Sequence, residues 1–324
     1  MLSSPERLKL GGERRTITIL TSDLRGFTAT SERLPPEDVV KILNVYLQHM
    51  GDAIAKYNGT IDEFMGDGIL VLFGAPTLRE DDAVRAVACA VEMQLAMAAV
   101  NEKLDELGFP PLQMGIGINT GVVVVGNIGS DKRTKYGIVG SAVNLTYRME
   151  SYTVGGQIFI TESTLKAAGA IVKIAGLMEI QPKGVKQPLA IYEVGGIGGE
   201  YNLFLTKAEE VFFPLTEEIP LQYKVLDGKH ISDTIFKGSL VKISAKRAKV
   251  RSDNGESNVV PSPLNNIKLN LLTPNHPTEA SEDIYAKVLA EPAEEGSFYI
   301  HFTTMSPELK ARLDSVYKSL ETGG

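Results

Sequence analysis

The chain has 324 residues, 43% of them hydrophobic and 23% charged, enough for two domains with cores of their own. A formal net charge of −7 weighs against nucleic acid as a partner, and a single cysteine, Cys89, excludes an intramolecular disulfide. The four histidines are scattered without metal-ligand spacing, and no stretch reads as long and apolar enough to span a bilayer. The first residues, MLSSPERLKLGGERR, lack the apolar run of a signal peptide, so a cytoplasmic location is expected.

Residues 1–15 read as a lead-in, and 16–23 alternate apolar and polar as a strand does. Pro35, Pro36 and Glu37 open a helix through Val39, Ile42, Leu43, Tyr46, Leu47 and Ile54, which Asn58-Gly59 ends with glycine supplying the turn. Ile61–Phe64 and Ile69–Phe73 read as strands of a hairpin whose tip is Met65-Gly66-Asp67-Gly68. A long helix follows over Asp81–Leu107, with Val84, Val87, Ala88, Val91 and Leu95 on its apolar face and Cys89 in the core. Gln113–Val125 is a further strand. The order β-α-β-β-α-β is the ferredoxin-like arrangement, an α+β fold. A hairpin tip lies near the end of the adjacent strand, so Asp67 is expected to approach Asp23.

GIGINTG (Gly115–Gly121) has the wrong final spacing for a dinucleotide loop and leads into a strand. The chain has no G-x-x-x-x-G-K-[ST] motif, which excludes a P-loop NTPase. Two aspartates at strand ends, Asp23 and Asp67, are the stronger signal, because paired carboxylates can hold divalent cations at a phosphorus centre. SDLRGFT, DEFMGDG and YGIVGSAVNLTYRME, with LGGERR ahead of them, resemble the ordered motifs of class III nucleotidyl cyclases over residues 10–195.

That resemblance implies the site. Asp23 and Asp67, with the Leu24 carbonyl, would hold two divalent cations per active site, Mg²⁺ or Mn²⁺. The amides of Gly26, Phe27 and Thr28 would meet phosphates, as would Lys183, Lys132 and Arg133. Asn144 and Arg148, four apart on one helical face, would orient the ribose and steady the pentavalent transition state. A homodimer with two equivalent shared sites is implied.

By the same resemblance, the base-selecting positions would be Glu63 and Gly137. A carboxylate only accepts hydrogen bonds, so Glu63 matches the N1–H and amine of guanine and opposes the lone pair of adenine N1. Glycine at 137 reads neither base. GTP is therefore the expected substrate, with cyclic GMP as product. Two alternatives stay open: an adenylate cyclase acting on ATP, and a cyclase-like module that binds nucleotide or dimerises without turnover.

EVGGIGGEYN suggests a linker over 196–206, with the first domain spanning 16–195. Beyond it, residues 207–324 read as six short strands (219–225, 239–243, 248–252, 267–272, 284–289 and 297–302) and a closing helix over 307–320, a small β-barrel. GSLVKISAKRAKVRS, DIYAKVLAE, FYIHFTTMS and that helix resemble a PilZ-like domain. The resemblance stops at its ligand motifs. No RxxxR precedes the barrel, and Lys242, Ser244 and Arg247 stand where Asp/Asn, Ser and Gly belong, so cyclic-di-GMP is not expected as a partner. Lys242, Lys246, Arg247, Lys249 and Arg251 read as a solvated basic strand face.

Overall fold

The computed structural model describes residues 11–130, 133–180, 188–206, 210–227, 230–231, 234–253, 260–273 and 276–322. The chain divides into two compact units, Met1–Lys207 and Ala208–Gly324.

The first unit runs β1 (Gly11–Leu24), α1 (Phe27–Ser31), α2 (Pro36–Lys56), β2 (Thr60–Met65), β3 (Gly68–Phe73), α3 (Asp82–Glu106), β4 (Met114–Ser130), β5 (Arg133–Val139), α4 (Ser141–Ser151), β6 (Ile158–Thr161), α5 (Glu162–Ala168), β7 (Val172–Ile180), β8 (Leu189–Ile197) and β9 (Leu203–Phe204). Its sheet has the order β2-β3-β1-β4-β6-β8-β7, with β5 on β4 and β9 on β8. The first four strands pair antiparallel, as the ferredoxin-like arrangement requires.

β1 lies at the centre, so both of its faces are covered. Leu20 and Leu24 join the core under α2 and α3, whereas Ile17 and Ile19 join a second core with Leu70, Leu72, Val123, Val125 and Ala142. Side chains alternate across a strand, so Asp23 emerges on the same face as Ile17 and Ile19, the face that α4 covers. The lead-in is shorter than its sequence suggested. Gly11–Arg15 already belongs to β1 and pairs with Val123–Asn127 of β4.

α2 starts at Pro36 with Glu37 and Asp38 in its first turn and Lys56 in its last, each suited to the helix dipole. At its end Asn58, not Gly59, takes the left-handed conformation, at φ 54°. Gly59 serves close packing instead: a Cβ there would lie 2.8 Å from Val71 Cγ1 and 2.9 Å from Ile54 Cγ2. Arg85 ties this turn to α3. It is buried, pairs with Asp81 and Asp82, and donates to the carbonyls of Tyr57 and Asn58.

α3 is less one-sided than its sequence suggests. Val87, Ala88, Cys89 and Val91 are buried as expected, but so are Ala86 and Ala90, while Leu95 is exposed. Small side chains let α3 pack between α2 and α5. By length and mean hydropathy (1.6) α3 could cross a membrane, contrary to expectation, yet 61% of that window is buried inside the unit.

The glycine-rich stretch is not a linker. Gly196 and Ile197 complete β8 and pair with Phe204 and Leu203 of β9. Ile197 is fully buried, and a Cβ on Gly196 would lie 2.6 Å from the Leu203 carbonyl oxygen. These glycines admit a close strand rather than a flexible one.

The second unit runs β10 (Phe213–Asp227), β11 (His230–Ile231), β12 (Phe236–Ile243), β13 (Arg247–Ser252), β14 (Asn266–Thr273), β15 (His276–Ala280), β16 (Ile284–Val288), β17 (Ser297–Thr304) and α6 (Pro307–Thr322). The six expected strands close a barrel in the circuit β10-β12-β13-β17-β16-β14, with β14 returning to β10. Leu221, Leu240, Val250, Ile267, Leu269 and Ile300 fill it, and Leu309 and Leu313 of α6 join that core.

The basic strand face is not simply solvated. Lys249 is buried and pairs with Glu294, Arg247 pairs with Glu210 and Glu291, and Arg251 forks onto Glu218. Carboxylates from flanking segments neutralise it, because a buried cation is stable only when paired.

Candidate active site

Three strand ends build the first cluster. The β1–β3 register, Thr18↔Phe73 to Ser22↔Ile69, continues beyond the ladder so that the β2–β3 turn meets Asp23 and Leu24. Gly66 opens that two-residue turn at φ 66°, a conformation that glycine adopts without steric cost. The Leu24 amide donates to Asp67 Oδ2 at 3.2 Å. Asp23 and Asp67 lie within hydrogen-bonding reach of each other, as the hairpin argument anticipated. Burial, and secondly the Asp67 carboxylate, push the Asp23 carboxyl up to about 7.

Two crowded carboxylates with a strand-end carbonyl beside them are a hard-oxygen donor set that suits Mg²⁺ or Mn²⁺. Among the described residues no group of three or more His, Cys, Asp or Glu side chains could hold a metal. Mg²⁺ nevertheless fits a two-carboxylate site, because substrate phosphates and water commonly complete its shell.

Asp23 has glycine on both sides. On β4 it faces Gly115, and on β3 a Cβ at Gly68 would lie 3.5 Å from its Oδ1. The GIGINTG stretch thus has a structural use. A Cβ at Gly117 would lie 2.4 Å from the Glu150 amide nitrogen, and one at Gly115 would collide with Thr153. Only glycine lets the C-terminal end of α4 settle this close to the sheet.

α4 carries Asn144 and Arg148 one turn apart, both exposed. Its buried side holds Ala142, Thr146, Met149 and Glu150. Glu150 forms an ion pair with Arg25, whose Nη2 also lies 3.7 Å from Asp23 Oδ2. Sequence reasoning missed Arg25 and Glu150. The available signal was the alternation of glycines at 115 and 117, which marks a strand face covered at close range.

Glu63 and Gly137 meet in a second cluster. A β-bulge between Ile61 and Glu63 interrupts the usual alternation, so Asp62 and Glu63 both reach Lys135 of β5. Lys135 Nζ lies 3.1 Å from Asp62 Oδ2 and 3.3 Å from Glu63 Oε2. A Cβ on Gly137 would sit in ordinary contact with Asp62 Oδ1, at 3.5 Å. The space that Gly137 leaves is therefore bordered by Asp62, which sequence reasoning did not single out.

Phe27 is buried and Thr28 exposed in the short α1, directly after Gly26 at φ 70°. Arg133 is exposed at the start of β5, opposite Ser130, four strand residues (about 13 Å) from Gly137. Lys132 and Lys183 lie outside the described residues.

Comparison with known proteins gives a consistent family. Residues 12–195 match the adenylate and guanylate cyclase catalytic domain family. The crystal structure of the guanylyl cyclase Cya2 is 67% identical with a TM-score of 0.60, covering 61% of this chain and 100% of that one. The adenylyl cyclase CyaB from P. aeruginosa is 36% identical with a TM-score of 0.55, covering 60% of this chain and 100% of that one. An adenylate cyclase of Anabaena cylindrica is 33% identical over 199 residues, 58% of this chain. Those residues span only 39% of that relative. With more than half its length matched, the chain belongs to the family of adenylate and guanylate cyclase catalytic domains.

Proposed function

We propose that this chain is a guanylate cyclase, converting GTP to cyclic GMP and pyrophosphate in a homodimer. The ribose 3′-hydroxyl attacks the α-phosphorus in line, and pyrophosphate leaves. Asp23, Asp67 and the Leu24 carbonyl would hold the cations. Bound there, two divalent cations would make the hydroxyl more acidic and offset charge on the phosphorus oxygens. Asn144 orients the ribose, and Arg148 offsets charge at the pentavalent phosphorus. The amides of Gly26, Phe27 and Thr28, with Arg133, Lys132 and Lys183, bind phosphate oxygens.

The observation that carries the purine choice is Glu63. Its carboxylate, 3.3 Å from Lys135, is an acceptor that matches guanine N1–H and amine. The likeness to the guanylyl cyclase Cya2 supports the same choice. Adenylate formation is the second reading, supported by the adenylyl cyclase relatives and left open by Gly137, which reads neither base.

Self-association is supported by exposed apolar side chains on three strands: Phe64 and Met65 of β2, Val124 and Ile128 of β4, and Tyr136 and Val139 of β5. The closed barrel agrees with the PilZ-like sequence pattern. Glu210 occupies its turn by pairing with Arg247 at 2.9 Å and accepting from Ser244 at 3.2 Å, which weighs against cyclic-di-GMP there. A cytoplasmic location completes the reading.

The test is product formation by the purified chain from GTP and ATP, each with Mn²⁺ and Mg²⁺. Cyclic GMP should dominate. Excess cyclic AMP would move the assignment to adenylate cyclase, and no product from either triphosphate would leave a cyclase-like binding module.

A further inference from the structure

Arg25 stands between the two elements that the cyclase reading makes chemical. Its backbone amide donates to the Gln113 carbonyl at 2.7 Å, which anchors it at the end of β1. Its side chain is only 14% exposed. The guanidinium pairs with Glu150, 10% exposed, and its Nη2 donates to the Asp23 carbonyl at 3.4 Å. The same nitrogen is 3.7 Å from the Asp23 carboxylate. Glu150 lies in the last turn of α4, two residues beyond Arg148, and its carbonyl accepts from Thr153 Oγ1 at 2.7 Å. Gly115 and Gly117 leave the room that this arrangement needs, as described above.

We propose that the Arg25–Glu150 pair is a positioning element of the active site, fixing α4 to the carboxylate end of β1 and setting how tightly Asp23 and Asp67 hold divalent cations. The inference rests on the assignment of those aspartates as cation ligands. All three contacts are made by Nη2, which lies one bond further from the backbone than a lysine ammonium, so lysine would keep the charge but not the position. The four groups Asp23, Asp67, Arg25 and Glu150 together carry two negative charges when ionised. Loss of Arg25 makes the cluster more negative, and loss of Glu150 makes it less so. A buried pair that only stabilised the fold would not move cation affinity in opposite directions.

The experiment is Mn²⁺ binding to the full chain without nucleotide, followed by electron paramagnetic resonance of free Mn²⁺, together with kcat and KM. Arg25→Gln should tighten Mn²⁺ binding about fivefold while kcat falls about tenfold or more, because charge is gained and position lost. Glu150→Gln should weaken Mn²⁺ binding. The double variant should return to within about twofold of wild type in affinity, yet stay slow. If Arg25→Gln does not fold, Arg25→Lys takes its place: near-normal affinity with lowered kcat is expected, and unchanged kcat would overturn the positioning role. Single variants that shift affinity in the same direction, or not at all, overturn the proposal while wild type still binds. A wild-type chain that binds no Mn²⁺ overturns the cation assignment as well.

Discussion

Glu63→Lys is the most direct perturbation of purine choice, and its effect can be worked from the cluster around Lys135. In the native chain Lys135 bridges Asp62 and Glu63 at 3.1 and 3.3 Å. The substitution replaces an attraction with a repulsion between two ammonium groups. At that separation an effective dielectric of 20 gives about 5 kcal/mol for either, a change of about 10 kcal/mol before screening. Glu63 and Lys135 are each about half exposed, so solvent screening reduces this to about 1 kcal/mol, and added salt reduces it further. The larger effect falls on the base. A donor-only ammonium facing guanine N1–H loses a bidentate contact, about 1–3 kcal/mol, so GTP kcat/KM should fall about a hundredfold. Adding Gly137→Asp supplies an acceptor for the adenine amine. It also offsets the added positive charge, since the new carboxylate would stand beside Asp62, and the two acids would share Lys135 and the introduced ammonium between them. The space is available, because a Cβ at 137 meets only Asp62 Oδ1, at 3.5 Å. The double variant should therefore exceed both wild type and Glu63→Lys in ATP cyclisation. Steady-state kcat/KM with each triphosphate for the three proteins decides it. A wild type that prefers ATP, or a Glu63→Lys variant with an unchanged GTP/ATP ratio, would refute Glu63 as the reader of the base.

Asp23→Ala and Asp67→Ala should each abolish turnover with little change in melting temperature, since both side chains are only partly buried; substantial residual product in either would remove the two-cation assignment. Chains carrying Asp23→Ala and Arg148→Ala should each be nearly inactive alone and regain turnover when co-assembled, because one site of the heterodimer then receives every intact residue. An isolated heterodimer without activity would count against sharing. In the barrel, burial first, then Arg247, Lys246 and Lys287, hold the His301 imidazole down to about 4 from its usual 6.5. The stability this confers is complete above pH 6.5 and is lost as pH falls toward 4, up to about 3 kcal/mol. The urea midpoint of the barrel transition should therefore drop over that window, and should drop less in His301→Gln.

The first unit was legible where period and turn chemistry agree. The β2–β3 hairpin, the Pro36 start of α2 and the approach of Asp67 to Asp23 all follow from local signals that tertiary contacts do not oppose. The glycines are the opposite case. Gly59 and Gly196 read as turn and linker residues, and Gly115 and Gly117 as residues of a strand, yet each marks a place where another side chain, helix or strand comes within the radius of a methyl group. Sequence shows that a side chain is missing but not what approaches the gap. Charge was misread for a related reason. The basic residues around Ser244 looked solvated because their partners, Glu210, Glu291 and Glu294, come from segments 34 to 45 residues away in sequence. Arg25 stood inside SDLRGFT with no role assigned, because its partner Glu150 sits on a helix that only the β4 glycines bring within reach. The motif residues that touch substrate in the proposed reaction could thus be read from the chain one at a time. The residues that hold them in place could not, because each is defined by a pair, and the second member is supplied by packing.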